Sequence, residues 1–303
     1  MKETPSQLKE PCFVMSFPGT LSTKNPNNVW MTELNDKERT INKNKAYRQW
    51  FDLYNFLAGS GLVHLIPNYP GDFQDQVYTA NVGIYLPHIK DDNVIVVSNF
   101  TSPPRQGEEK LALPLFKSLG YNAVMSPYKF EGEADLKYLY DNIYLGGYGQ
   151  RTEKETHLWI NKTYGANIIP IYMADPYLYH LDCSVFPLNK NKIMMCTELF
   201  EEEIKQIEKI TEIIDIDEDA AYSGICNSVR LGNTILCASN ISELSKVSED
   251  YEYEKHKINT LEKICASEGM EPVLFNLSEY MKSGAMLSCL IMQLNYEENT
   301  PLI

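Results

Sequence analysis

The sequence predicts an α/β fold assembled from several similar units, and three observations support it. Strand-length apolar runs rich in β-branched residues recur, as in Val94-Ile95-Val96-Val97 and Thr234-Ile235-Leu236-Cys237. Stretches with apolar residues at helical spacing fall between them. The order strand, polar loop, strand, helix returns in stretches of roughly 50–60 residues. No Pro/Ser-rich linker divides the 303 residues and no literal repeat is visible. A single domain is expected over 12–298, with a flexible lead at 1–11 and a tail at 299–303.

Taken in order, Cys12-Phe13-Val14-Met15-Ser16 reads as a strand, and a Pro/Gly/Asn-rich loop follows as far as Asn28-Val29-Trp30-Met31. Trp50, Leu53, Tyr54 and Leu57 lie at helical spacing and Gly59 closes the turn, which predicts a helix over 43–58. Strands are expected at 63–66, 94–97, 123–125, 167–171, 192–196, 234–237 and 272–275, with a last one over 287–294. Helices are expected over 107–119 despite Pro114, and over 155–164, 198–211 and 251–268.

The formal net charge of −14 argues against nucleic-acid or anionic-membrane partners, which need a positive footprint, and is compatible with a small cationic substrate. Seven cysteines, an odd and dispersed set without a C-x-x-C pair, argue against a disulfide framework and a zinc site. No apolar run approaches the roughly 18 residues of a membrane span, and Met1-Lys2-Glu3-Thr4-Pro5 lacks the pattern of a signal peptide. These features predict a reducing, cytoplasmic setting. Nothing in the sequence fixes an oligomeric state.

Chemistry-bearing residues gather at a few places. Cys289 follows the small residues Ser283, Gly284 and Ala285, where loop meets an apolar run, a position open to substrate and to pKa-lowering neighbours. A lone cysteine is nevertheless more often a small core residue. His180 and Asp182 form an H-x-D pair that shares a face if the segment is extended; an isolated pair of this kind is more commonly an ion pair or a satisfied buried histidine. Glu131, Glu133 and Asp135 are interleaved with Gly132 and Ala134, a pattern that by itself reads as a self-solvating loop. Asp75 and Asn81 have the same parity and face one side if that run is extended. Arg105 and Arg151, each in a turn-rich loop, are candidates to grip a carboxylate, although either alone is more often a surface charge.

In order, the motifs are Asn-x-Trp-Met at 28–31, P-G-x-x-x-D-x-V-Y-T-A-N at 70–81, R-Q-G-E-E at 105–109 and F-E-G-x-x-D at 130–135. G-G-Y-G-x-R-T at 146–152, D-P-x-x-Y-H-L-D at 175–182 and S-G-x-x-x-x-C-L at 283–290 complete the set. From about Phe13 to Tyr296 it resembles the guanidine-modifying superfamily of arginine deiminases, arginine dihydrolases, dimethylarginine dimethylaminohydrolases and glycine amidinotransferases. Asn28 and Asn81 make it most similar to the arginine dihydrolases. Two departures are Val29 where those loops usually have proline, and a glycine-rich run before the cysteine reduced to Gly284.

The resemblance implies a five-bladed α/β propeller (pentein fold) with the active site on its axis. It implies Cys289 as nucleophile, His180 as general acid/base and Glu131 as its acidic partner. Asp75 and Asp182 would hold the guanidinium, Arg105 and Arg151 the α-carboxylate, and Asn28 and Asn81 would also bind substrate. The expected reaction is hydrolysis of free L-arginine to ornithine, ammonia and carbon dioxide, without metal or cofactor. Deiminase, dimethylarginine hydrolase and amidinotransferase chemistry remain open alternatives, as does a non-catalytic arginine-binding role. Carboxylates match the planar edges of a guanidinium, and its positive charge beside Cys289 would stabilise the thiolate. The amide of Asn81 can both donate to and accept from a neutral ureido group, which carboxylates cannot, and this favours a second hydrolysis.

Overall fold

The apolar runs at 12–16, 94–97, 192–195 and 234–238 are buried on both faces because each is the middle strand of a three-stranded sheet packed between two others. The computed structural model describes residues 4–68, 73–200 and 202–296. In the first sheet β1 (Cys12–Ser16) runs parallel to β2 (Leu62–Ile66). The second holds β3 (Gly83–Tyr85), β4 (Val94–Val97) and β5 (Asn122–Met125). The third holds β6 (Leu136–Tyr140), β7 (Ile143–Tyr148) and β8 (Asn167–Tyr172). The fourth is β9 (Val185–Asn189), β10 (Lys192–Met195) and β11 (Glu212–Asp215), and the fifth is β12 (Val229–Leu231), β13 (Thr234–Ala238) and β14 (Glu271–Phe275). The last strand, β15 (Met292–Gln293), returns to pair antiparallel with β1.

Every sheet therefore has one plan, an antiparallel pair followed by a parallel strand. A parallel neighbour needs a crossover. Helices Lys43–Ala58, Glu109–Ser118, Lys154–Tyr164, Ile204–Ile207 and Glu249–Glu268 occupy the five crossovers.

Strand alternation distributes each middle strand between its two neighbours. Ile95 and Val97 face the first sheet and cluster with Cys12 and Val14, whereas Val94 and Val96 cluster with Leu136 and Tyr144 of the third. Leu145 and Ile171 meet Ile193 and Met195 of the fourth sheet, and Met194 and Leu188 meet Ile235 and Cys237 of the fifth. Leu236 and Ala238 then pack on Phe13 and Met15 of the first. The chain of packed cores thus returns to where it began.

Three expectations are corrected. The expected helix over 198–211 is only a 3-10 turn at Thr197–Leu199 and one helical turn at Ile204–Ile207. Glu198 and Glu202 set like charges at i,i+4, and the Glu203 carboxylate is drawn off to the Tyr172 N–H. The last strand shrinks to two residues. Before it, Ser288–Leu290 is a 3-10 turn whose backbone is held by side chains, Ser288 N–H by Asn227 and Leu290 C=O by Thr79. Neither the Asp75–Asn81 run nor the H-x-D segment is extended throughout: Thr79–Val82 and Leu181–Cys183 are 3-10 turns. Within the expected lead at 1–11, the described residues make contacts with the rest of the chain. Ser6 N–H donates to the Tyr121 hydroxyl, and the Asn295 amide donates to Glu10 C=O at 3.3 Å. The expected tail at 299–303 lies outside the described residues. No helix among the described residues is long and apolar enough to cross a membrane.

Candidate active site

The loops that precede the first strands of the sheets or follow the middle ones converge on one small cavity of about 30 Å³. Eight of the nine predicted site residues line it, namely Asn28, Asp75, Asn81, Arg105, Glu131, Arg151, His180 and Cys289. Asp182, the ninth, is fully buried immediately behind the thiol, with its Oδ2 4.0 Å from Cys289 Sγ.

Cys289 sits in the Ser288–Leu290 turn, not on a strand, and is 7% exposed. Burial, followed by the charge of Asp182, pushes its thiol up to about 12. Asn227 opposes this by donating from Nδ2 to Sγ at 3.4 Å. Ser288 donates its hydroxyl to Asp182 Oδ2 at 2.7 Å. A positive charge brought beside this thiol would lower its pKa, since it lies in low dielectric next to a carboxylate.

His180 precedes the Leu181–Cys183 turn, and its Nε2 lies 2.8 Å from Glu131 Oε2 and 3.3 Å from the Asn81 amide nitrogen. Glu131 is fully buried, which alone would raise its pKa. The hydrogen bond and charge of His180, with Arg151 and Arg105 nearby, hold it well below the usual carboxylate range. Gly132, with φ of +62°, lets this loop press on the chain at 80–83: a Cβ there would lie 2.7 Å from Ala80 O and from Gly83 N. That close approach brings Glu131 and Asn81 together around His180. Glu133 and Asp135 do not solvate themselves in a loop, as expected of the motif alone, but are buried. Asp135 accepts from Thr152 Oγ1 at 2.6 Å and from Leu181 N–H at 3.2 Å, which braces the segment carrying His180.

On the opposite wall Asp75 is buried, and burial raises its pKa against the pull of Arg105. Its Oδ2 accepts from the Asn27 amide at 2.7 Å and the Gln74 amide at 3.3 Å. Arg151 stacks its guanidinium 4.9 Å from the Tyr179 ring centre, donates to Asn27 C=O at 2.6 Å and lies 3.6 Å from Glu131 Oε1.

Two of the lining residues also brace the loops around them. Arg105 spends Nε and Nη2 on Glu108, and Nη2 also on Asp75 and Tyr78 carbonyls, so it is an internal brace for the Asp75 loop. Asn28 caps the Val29–Glu33 helix by accepting from Met31 N–H at 3.0 Å and donates to Ser283 C=O at 2.9 Å. Its amide is a strut between loops. Sequence reasoning missed Asn227, Asn27, Tyr78, Tyr179, Ser283 and Ser288. Asn27 was legible as the neighbour of Asn28; Asn227 lies 62 positions from Cys289 and carries no local pattern.

Asn28 to Ser283, Tyr179 to Gly284 C=O at 3.1 Å and Trp30 Nε1 to Tyr177 C=O at 2.9 Å tie together three loops around the site. The remaining space holds about two waters. No group of three or more metal-ligating side chains occurs among the described residues.

This arrangement can be set against known proteins. Residues 18–296 match the profile of the family described as N,N dimethylarginine dimethylhydrolase, eukaryotic. The chain belongs to this family. With it, the chain is a hydrolase of guanidino carbon–nitrogen bonds within the guanidine-modifying superfamily. It is 26% identical over 292 residues to the dimethylarginine dimethylaminohydrolase of Mycobacterium tuberculosis, covering 93% of this chain and 85% of that one. It is 27% identical over 276 residues to the bifunctional arginine dihydrolase/ornithine cyclodeaminase AgrE of Nostoc, covering 88% of this chain but 35% of the relative. Among solved structures, the N-terminal domain of the cyanobacterial arginine dihydrolase ArgZ superimposes with a TM-score of 0.80 at 24% identity, over 94% of this chain and 98% of that domain. The dimethylarginine dimethylaminohydrolase fold of Pseudomonas aeruginosa is similar at a TM-score of 0.69 and 16% identity, over 94% and 99% of the two chains.

Proposed function

We propose that this member of the dimethylarginine dimethylhydrolase family hydrolyses the guanidinium group of free L-arginine through a covalent thiouronium on Cys289, and continues past citrulline to ornithine, ammonia and carbon dioxide. The observation that carries the reading is the convergence of Cys289, His180, Glu131, Asp75, Arg151 and Asn81 on one cavity. We further propose that the five sheets are blades of a five-bladed propeller with this cavity on its axis. The packed cores linking each sheet to the next, and the fifth to the first, support that geometry.

In the proposed reaction Asp75 and Asp182 take the edges of the guanidinium, and Arg151 holds the α-carboxylate. The incoming positive charge offsets burial and Asp182, and Cys289 loses its proton. The sulfur attacks the guanidinium carbon, the C–N bond to one terminal nitrogen breaks, and His180 gives that nitrogen a proton so that ammonia leaves. Water then adds to the same carbon, handing a proton to His180, and the C–S bond breaks to give citrulline and free thiolate. A second passage splits the ureido group, so one arginine and two waters yield ornithine, two ammonia and carbon dioxide. Glu131, kept ionised, supports cationic His180. The Asn81 amide supplies the mixed donor and acceptor that a neutral ureido group needs. The ArgZ domain, similar in fold, has been captured covalently bound to a reaction intermediate. The odd, dispersed cysteines favour a reducing, cytoplasmic setting.

A second reading, hydrolysis of N,N-dimethylarginine to citrulline and dimethylamine, is favoured by the family match itself. One time course decides between them: the purified protein is incubated separately with L-arginine and with N,N-dimethylarginine, and ammonia, citrulline, ornithine and dimethylamine are quantified. Ornithine with about two ammonia per arginine upholds the dihydrolase reading. Citrulline with dimethylamine from the methylated substrate alone replaces it with the second.

A further inference from the structure

A second, larger cavity of about 400 Å³ lies among β6, β9, β12 and the turn leading to β15. It is sized for a small molecule. Its charged lining is Lys137, Lys190, Lys192 and Arg230 against Glu133 and Glu268, four cations to two acids, a formal +2 in a chain of −14. Of these, Lys192 is paired with Glu268 at 2.8 Å.

Arg230 is the unusual member. Only 4% of it is exposed, yet no carboxylate pairs with it among the described residues. Nε donates to Gly232 C=O at 2.9 Å and Nη1 to Leu188 C=O at 2.7 Å, which uses two of five N–H groups. Nη2 is buried and has no hydrogen-bond partner. A buried guanidinium without a counter-charge is costly, and its presence needs a reason. Half-buried Lys137 stands on the same lining. Glu133, the acid that opposes an anion here, is pushed by burial up to about 7, which weakens that opposition. Phe186, Leu188 and Ile291 complete the wall with apolar surface, which suits carbon-bearing anions better than bare inorganic ones.

We propose that this cavity is a binding site for a small organic carboxylate, with Arg230 as its principal anchor and Lys137 as a second cation. The ligand would take the Arg230 Nη2 N–H groups, which the protein leaves without a partner. Ser288 lines this cavity and also donates to Asp182, so the bound carboxylate would border the turn that carries Cys289.

The test uses succinate at constant ionic strength, with thermal melting and equilibrium titration of the whole protein. Saturable binding to wild type is expected, weakened at least tenfold in Arg230→Met and unchanged in Arg151→Ala, which removes one of the two arginines lining the other cavity. Absence of saturable binding to wild type overturns the proposal. So does retained affinity in Arg230→Met, or loss of affinity in Arg151→Ala, since the latter places succinate in the other cavity. If Arg230→Met does not fold, Lys137→Gln decides: a several-fold loss of affinity is expected, and unchanged affinity overturns the assignment.

Discussion

Asn227 holds the Cys289 turn by both ends of its amide: Oδ1 accepts from Ser288 N–H at 2.9 Å while Nδ2 donates to Cys289 Sγ at 3.4 Å. One side chain thus sets the turn and stabilises the thiolate. Asn227→Ala should lower kcat at least tenfold and slow alkylation of Cys289 by iodoacetamide. A variant with wild-type kcat and alkylation rate would remove Asn227 from the machinery.

Asp182 has opposing effects on the two states of the site. It raises the Cys289 pKa, second only to burial, yet in the proposed reaction it takes one edge of the guanidinium. Asp182→Asn should therefore speed alkylation of the unliganded protein while cutting kcat/KM by roughly a hundredfold, about 3 kcal/mol of lost transition-state stabilisation. Changes of the same sign in both rates would contradict the double role.

Glu131 is expected to matter for both activity and stability. Glu131→Gln should reduce kcat by roughly a hundredfold or more, in the range of a misplaced general acid. The folded carboxyl has its pKa depressed, so the stability it contributes is present above the unfolded value near 4.5 and is lost as pH falls toward its folded value. Urea unfolding should show the variant less stable than wild type at about pH 7, with the gap narrowing below about pH 4. A gap that widens in acid would reverse the sign.

These expectations mix what the sequence made legible with what it did not. The middle strands were readable because burial on both faces leaves uninterrupted apolar runs such as Val94–Val97. The short first strands β3, β9 and β12 were not, since they carry Gly83, Pro187 and Arg230 and lack a clean run. Ordered motifs located most residues lining the cavity, but they located loops and not hydrogen bonds. Arg105 and Asn28 look like recognition groups in sequence. Glu108 and the Ser283 carbonyl show that they also brace loops, which no local pattern reveals. The parity argument for Asp75 and Asn81 placed both at one cavity, as the structure does, but through an incorrect local conformation, because Thr79–Val82 turns as a 3-10 helix.

The loop contacts around the site predict a steric effect at Gly284. Its φ is +73°, and a Cβ would stand 2.9 Å from Asn28 Oδ1 and 3.1 Å from Trp30 Cβ. Gly284→Ala should cost about 1–2 kcal/mol in stability from the left-handed backbone, and push the Asn28 strut away from the Ser283 carbonyl. A raised KM with lowered Tm is expected. Wild-type values of both would mean that the site tolerates a displaced strut.

Glu133 should govern stability in the neutral range. Burial raises its carboxyl from 4.5 to about 7, against the pull of Lys137, and Oε2 accepts from Gln293 N–H at 2.8 Å. An acid whose folded pKa is raised lends its full stability below the unfolded value and loses it as pH rises through the folded one. Wild type should therefore lose stability between about pH 4.5 and 7, by roughly 3 kcal/mol from this group. Glu133→Gln keeps an acceptor for Gln293 and has no proton to lose. Its melting temperature should fall less than that of wild type from about pH 5 to about pH 8, and the two profiles should diverge most at the alkaline end. Parallel profiles would mean that Glu133 remains ionised throughout, neutralised in place by Lys137.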